Sequence, residues 1–178
     1  KLKHIDQIFE LNVLVAWSLF ETFLHYKIPE VTIKWPNDIM SANKKLAGIL
    51  IENVIKSDKN IDSIVGIGIN VNQTEFEDLP KASSLKNCTN QDFDKNEILI
   101  KFIEVFKENI FQLGSEKIWN FYNQNLFKKG VLMPFKHQNN RKFMGIIQQV
   151  NQKGKIEILT ENDILKDFEI KEIEMLFS

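Results

Sequence analysis

Val31-Thr32-Ile33-Lys34-Trp35-Pro36-Asn37-Asp38, with Lys45-Leu46-Ala47-Gly48-Ile49-Leu50 after it and Gly66-Ile67-Gly68-Ile69-Asn70 further on, is the stretch that decides the fold. Residues 31–35 alternate apolar with polar and are β-rich, which predicts a strand. Pro36-Asn37-Asp38 is a turn signal. Ile39-Met40, the polar tip Ser41 to Lys44, and Leu46 to Ile55 then form a predicted hairpin. Lys56 to Asn60 is a second polar tip, and Ser63 to Val71 is the next strand. Strands in succession joined by short tips favour an antiparallel meander. In a meander the three clusters lie side by side, so an acid, lysines, an amide and glycine-exposed backbone line one groove.

Each residue type has a physical use in such a groove. Lysine is a compact cation suited to phosphate or carboxylate oxygens. Aspartate can hold Mg²⁺ beside substrate phosphates. Glycine lets a ligand approach the backbone closely. Asparagine both donates and accepts, which fits a purine edge. Bland alternatives stand beside these. Lys34, Lys44 and Lys45 read equally as solvated hairpin residues. Pro36-Asn37-Asp38 is ordinary turn chemistry. Gly66 and Gly68 can mark a bulge or tight packing, and Gly-x-Gly here lacks the strand–helix context of a dinucleotide site.

Outward from this stretch, Asp6 is a candidate N-cap for a helix running to about Tyr26, apolar on nearly every face from Leu11 to Phe20 and therefore expected to be buried against a sheet. Residues 72–94 are mostly polar and read as a long loop. Asp94 with Glu97 resembles a capping box, and Ile98, Phe102, Val105, Phe106 and Ile110 continue at helical spacing. A shorter helix after Ser115 carries Ile118, Trp119 and Tyr122. From Gly130 to Ser178 only short strands are expected: 131–136, 142–150, 155–160, 164–170 and 173–176. Five of them in so short a tail suggest a small barrel. The reading is thus two domains, 1–129 and 130–178, of α+β class.

Composition narrows the setting. The 178 residues are 43% hydrophobic and 26% charged, and 23 basic against 24 acidic residues leave a formal charge of -1, so nothing invites nucleic acid or an anionic membrane surface. No apolar run is expected to span a membrane. Cys88 is the single cysteine, which excludes an intramolecular disulfide and points to a reducing, cytoplasmic setting. His4, His25 and His137 show no metal or triad spacing.

Taken in order, Lys34-Trp35-Pro36-Asn37-Asp38, Lys45-Leu46-Ala47-Gly48-Ile49-Leu50 and Gly66-Ile67-Gly68-Ile69-Asn70, with Asn72 and then Ala82-Ser83-Ser84-Leu85, resemble the biotin–protein ligase family. The strand-only tail resembles that family's C-terminal SH3-like domain. The resemblance implies a class-II-synthetase-like mixed or antiparallel sheet with packed helices, followed by an SH3-like β-barrel. It implies two steps: biotin and ATP, with Mg²⁺, give biotinyl-5′-AMP, and a lysine of a biotin carboxyl carrier domain then displaces AMP. On this pattern Lys45 touches both the acyl carbonyl and the phosphate, and Asp38 serves the metal and the second-step lysine. Gly48, Ile49 and Leu50 pass beside biotin. Gly66, Ile67, Gly68, Ile69 and Asn70 form the adenylate floor, with Asn70 near adenine. Lys34, Trp35 and Asn37 belong to the same binding set, Lys34 and Asn37 shaping the site rather than doing chemistry.

The family also places a Gly/Arg-rich loop and a biotin-contacting strand upstream of the buried helix. Neither occurs between Lys1 and that helix. The expectation is an N-terminally truncated core holding part of the pocket. Two other readings compete with the ligase. One is a catalytically silent module for carrier docking or homodimer formation. The other is a lipoate or octanoate transferase, against which the Lys-Trp-Pro-Asn-Asp run speaks.

Overall fold

The computed structural model describes residues 2, 4, 7–58 and 60–177. The first helix, α1 (Gln7–His25), is followed by four strands, β1 (Val31–Lys34), β2 (Asp38–Ser41), β3 (Lys44–Ile55) and β4 (Ile61–Ile69). They form one antiparallel sheet in chain order, the meander expected from the short polar tips. The candidate cap Asp6 lies outside the described residues.

Leu11 to Phe20 of α1 are all buried, and the helix packs on β1, β2 and β3. Its length and composition alone would allow it to cross a membrane, contrary to the expectation that no run comes near that length. Its apolar faces are instead mostly buried within the protein, as befits a core helix. Its buried hydroxyls are satisfied internally, Ser18 Oγ donating to Leu14 O at 2.9 Å and Thr22 Oγ1 to Ser18 O at 2.7 Å. Ile33, Ile39, Leu46, Ala47 and Ile49 supply the sheet's side of this core.

The polar stretch 72–94 is not all loop. A five-residue helix, α2 (Leu85–Thr89), interrupts it. Ser84 accepts from Asn87 N at its start and Asn90 turns left-handed at its end, so the two caps define a helix too short to show periodicity. The next helix, α3 (Lys95–Asn109), is capped by Asp94, whose carboxylate accepts from Asn96 N. It packs on α1. That leaves a cleft of about 470 Å³ between β4 and its first turns, lined by Val65, Ile67, Ile69, Ile98 and Phe102 among others. Helix α4 (Glu116–Gln124) follows and also packs on α1.

The tail forms β5 (Leu132–His137), β6 (Lys142–Val150), β7 (Ile156–Thr160), β8 (Leu165–Phe168) and β9 (Ile173–Met175). They make a second antiparallel sheet in the order β8-β7-β6-β5-β9, its last strand returning to pair with its first. This is consistent with the small barrel expected. The protein is therefore α+β, built on two antiparallel sheets with helices packed on the first.

The two sheets meet along α4 and the β6–β7 tip. Asn123 donates to Val150 O at 3.0 Å and accepts from Val150 N at 2.6 Å. At the tip, Gly154 has φ +79° and lies against the Phe9 ring of α1, where an added Cβ would sit 2.6 Å from Cγ. Gly154→Ala should cost about 2–5 kcal/mol, combining left-handed backbone strain with overpacking. Gly130, at φ +74° with open space around it, should lose only about 1–2 kcal/mol on the same change. Urea unfolding of both variants gives the comparison, and equal losses would show that the tip does not depend on this contact.

Candidate active site

The site begins with an irregularity in the β2–β3 ladder. Asp38 faces Gly48 and Ile39 faces Ala47, but Met40 faces Lys45, so Leu46 is an extra residue with no partner in the ladder. Strict alternation would put Lys44 and Leu46 on the face that carries Gly48. The bulge changes the parity, buries Leu46 in the core, and returns Lys45 to the Gly48 face. Lys45 Nζ then stands 2.5 Å from Asp38 Oδ1. Lys44 leaves in another direction and donates to the carbonyl of Pro80.

Lys34 pairs with Asp38, Asp38 with Gly48 and Gly48 with Gly68, so one row crosses all four strands. Asp38 is the hub. Its side chain is 13% exposed, and its second oxygen holds Lys34 Nζ at 3.1 Å. Gly48 makes room for this pair, since a Cβ there would sit 3.1 Å from Lys45 Nζ. Above Gly68 there is open space. Leu50, 65% exposed, stands on the same face opposite Gly66. Gly48, Leu50, Gly66 and Gly68 thus form a shallow floor with one side chain.

The other members of the predicted set are placed differently. Ile49 is buried in the core, and Ile67 and Ile69 line the cleft toward α3, so these three offer only backbone to the floor. Asn37 works as a clamp: its Nδ2 donates to Ile49 O at 2.6 Å and its carbonyl accepts from Ile49 N at 2.9 Å. Trp35 is buried, joined to Pro36 by a cis peptide, and its indole N–H donates to Gly154 O at 2.9 Å. Asn70 lies against the 81–85 segment, its Nδ2 donating to Ser83 O at 3.0 Å. That segment is zipped to β3 by Lys45 N donating to Lys81 O and Ser83 N donating to Lys45 O. The main chain of Lys45 therefore builds the wall while its side chain faces the site.

Several contributors had no signal in the sequence. A cleft of about 510 Å³ joins Lys34, Asp38 and Lys45 to Lys81, to Glu174 of β9, and to Lys171 and Phe177 on either side of that strand. Four lysines face two carboxylates there, so the cleft is net positive. Lys81 Nζ lies 4.1 Å from the centre of the Phe177 ring, a cation–π distance. Glu174 accepts from Lys136 at 2.7 Å, and that bond, with the nearby charges of Lys136, Lys81 and Lys34, holds its carboxyl below the usual range. Two further donors converge on the Pro36 carbonyl, Asn12 Nδ2 at 2.7 Å and Tyr122 Oη at 3.0 Å.

A resident Mg²⁺ does not fit this arrangement. Both Asp38 oxygens carry an ammonium group, and no cluster of three or more His, Cys, Asp or Glu occurs among the described residues.

Residues 6–72 match the Biotin/lipoate A/B protein ligase family. The bifunctional ligase/repressor BirA of Bacillus subtilis is 37% identical over 103 residues, which is 56% of this chain and 32% of that protein. The biotin–[acetyl-CoA-carboxylase] ligase of Mycobacterium tuberculosis is 34% identical over 83 residues, 47% of this chain and 29% of that protein. The chain thus spans about a third of the length of the curated relatives it matches. Among solved structures, biotin protein ligase from Aquifex aeolicus superposes over 98% of this chain and 77% of its own, with 27% identity and a TM-score of 0.79. The same enzyme in complex with biotin and ATP aligns over 96% of this chain and 72% of its own, with 28% identity and a TM-score of 0.75. Over these stretches the chain is similar to biotin protein ligases.

The two floor glycines should respond differently to a methyl group. Gly68→Ala enters open space and should be neutral or stabilising by up to about 1 kcal/mol, the usual gain on replacing glycine in a strand. Gly48→Ala should forfeit that gain, because its methyl must push the Lys45 ammonium away from Asp38. Urea denaturation of the two variants tests this, and the reverse order would refute the packing described.

Proposed function

We propose that the protein activates biotin with ATP to form biotinyl-5′-AMP and passes the biotinyl group to a lysine of a biotin carboxyl carrier domain. The observation that carries this reading is the Asp38 carboxylate held between Lys34 and Lys45 at the edge of a floor almost free of side chains. Solved complexes of the similar Aquifex aeolicus enzyme with biotin and ATP support it.

In the first step a biotin carboxylate oxygen bonds to the α-phosphorus of ATP, and the bond to the pyrophosphate leaving group breaks. Two anions must approach, and the attacked phosphoryl gains charge. Preorganised cations aimed at that charge are the largest available contribution. Lys45 supplies one on the floor side, with Lys34 and Lys81 beside it. Mg²⁺ enters bound to the nucleotide phosphates, as part of the substrate. Gly48, Gly66 and Gly68 let the adenylate lie close to the main chain, and Asn70, two residues beyond Gly68, meets the base in this reading. In the second step the carrier lysine amine attacks the acyl carbonyl, AMP leaves with the bonding electrons, and Asp38 orients the amine and takes its proton.

Substitution at Lys45 tests the assignment. Lys45→Ala in the full protein should lower biotin-dependent ATP–pyrophosphate exchange by about 10²-fold or more, the order expected when one preorganised donor is lost. Lys45→Arg should rescue only partly, because a planar guanidinium does not replace a compact ammonium at 2.5 Å from a carboxylate. Lys44→Ala should keep activity and stay within about 0.5 kcal/mol of the parent in stability. A dispensable Lys45 would remove this strand from the chemistry. Carrier labelling with biotin and with lipoate, run in parallel, should show incorporation of biotin. Labelling by lipoate alone would move the protein to the lipoate side of the family.

A further inference from the structure

Tyr122 is the largest fully buried side chain among the described residues, and its hydroxyl is deep in the protein beside the Asp38 turn. Burial, followed by the negative charge of Asp38, drives its ionisation far above the ordinary phenol range, so it stays a neutral donor at any working pH. That donor is used on one acceptor, the carbonyl of Pro36 at 3.0 Å. Two residues further along the chain is the carboxylate on which both lysines converge.

The acceptor is doubly held, since Asn12 of α1 donates to the same oxygen at 2.7 Å. A carbonyl has two lone pairs, and here each has a side-chain donor from a different helix. On either side of it the turn is tied elsewhere, Trp35 to Gly154 O and Asn37 to both backbone groups of Ile49. The ring of Tyr122 is set in turn by Phe9, edge to face at 6.2 Å, and Phe9 is the ring on which Gly154 rests. Gly154, Phe9, Tyr122, Pro36 and Trp35 thus form a closed circuit of contacts around the turn that presents Asp38.

We infer that Tyr122, with Asn12, is a positioning residue that fixes the Pro36 peptide and so the placement of Asp38 between Lys34 and Lys45. The inference rests on the ligase reading for its catalytic consequence, but the fixing of the turn is independent of it. Neither residue touches the substrates. Their effect is on how often the carboxylate occupies the geometry the reaction uses, which changes turnover more than binding.

Tyr122→Phe keeps the ring against Phe9 and removes only the hydroxyl. Two readouts are taken on the full protein. The first is amide hydrogen exchange at Ile49, whose N–H donates to the Asn37 carbonyl in the turn. It should speed up by about tenfold, the effect of losing one net hydrogen bond on local opening, while amides in the middle of α1 keep their protection. The second is biotin-dependent ATP–pyrophosphate exchange, where kcat should fall by about tenfold with KM for biotin and ATP within about twofold. Asn12→Ala removes the other donor and should reproduce both changes, which covers the case in which Tyr122→Phe does not fold. Unchanged Ile49 exchange in both variants, or unchanged kcat in a protein whose parent is active, overturns the inference. A parent protein that performs no biotin-dependent exchange overturns the ligase reading instead, and Ile49 exchange still decides whether Tyr122 holds the turn.

Discussion

A nearly buried carboxylate cannot stand alone. Taking a charge out of water costs several kcal/mol unless opposite charges and hydrogen bonds replace the lost hydration. Asp38 answers this with one ammonium group on each oxygen, and much of the local architecture follows. Lys34 reaches it from the neighbouring strand because the two are direct cross-strand partners. Lys45 reaches it because the Leu46 bulge puts that side chain on the right face. Gly48 lies opposite because any side chain there would occupy the space of the Lys45 ammonium.

The second sheet closes what the first begins. Its tip supplies the acceptor for the Trp35 indole, and its last strand and the residues after it line the cationic cleft through Glu174 and Phe177. Lys81 over the Phe177 ring and Lys136 on Glu174 keep the lysines of this region partly paired without cancelling them. A phosphate entering the cleft would exchange these weak partners for a stronger one, which is the condition for a lysine-rich cleft to bind an anion without repelling itself apart. The charge balance of the whole chain conceals this, since a formal charge of -1 gives no hint that four lysines gather in one place.

The parts of the fold that depend on local period were legible in the sequence. The meander, α1, α3, α4 and all five strands of the tail could be read from alternation, helical spacing and turn residues. Helix α2 could not, because five residues held by two caps carry no period. The docking of α3 could not either, since a helical stripe announces a buried face without naming its neighbour. In the candidate site, the row from Lys34 to Gly68 was visible as three clusters, but which side chains share its face was not. Ile49, Ile67 and Ile69 turn the other way, and the bulge that aims Lys45 leaves no mark in the run Lys44 to Leu50. Asn12 and Tyr122 read only as members of helices, and Gly154, 119 residues from Trp35, read only as a turn.

The bulge has one more consequence, for how this strand can change over time. Each site side chain on β3 owes its direction to the count of residues between it and Gly48, and that count is set by a single unpaired position. Replacing Leu46 by another apolar residue leaves the count alone. Deleting it would leave Lys45 two residues from Gly48, on the same face by strict alternation, but would take a fully buried side chain out of the core. Pairing Leu46 into the ladder without deleting it would instead bring Lys44 to the Gly48 face in place of Lys45. Among descendants of this sequence, Leu46 should therefore be exchanged for other apolar residues more readily than it is lost.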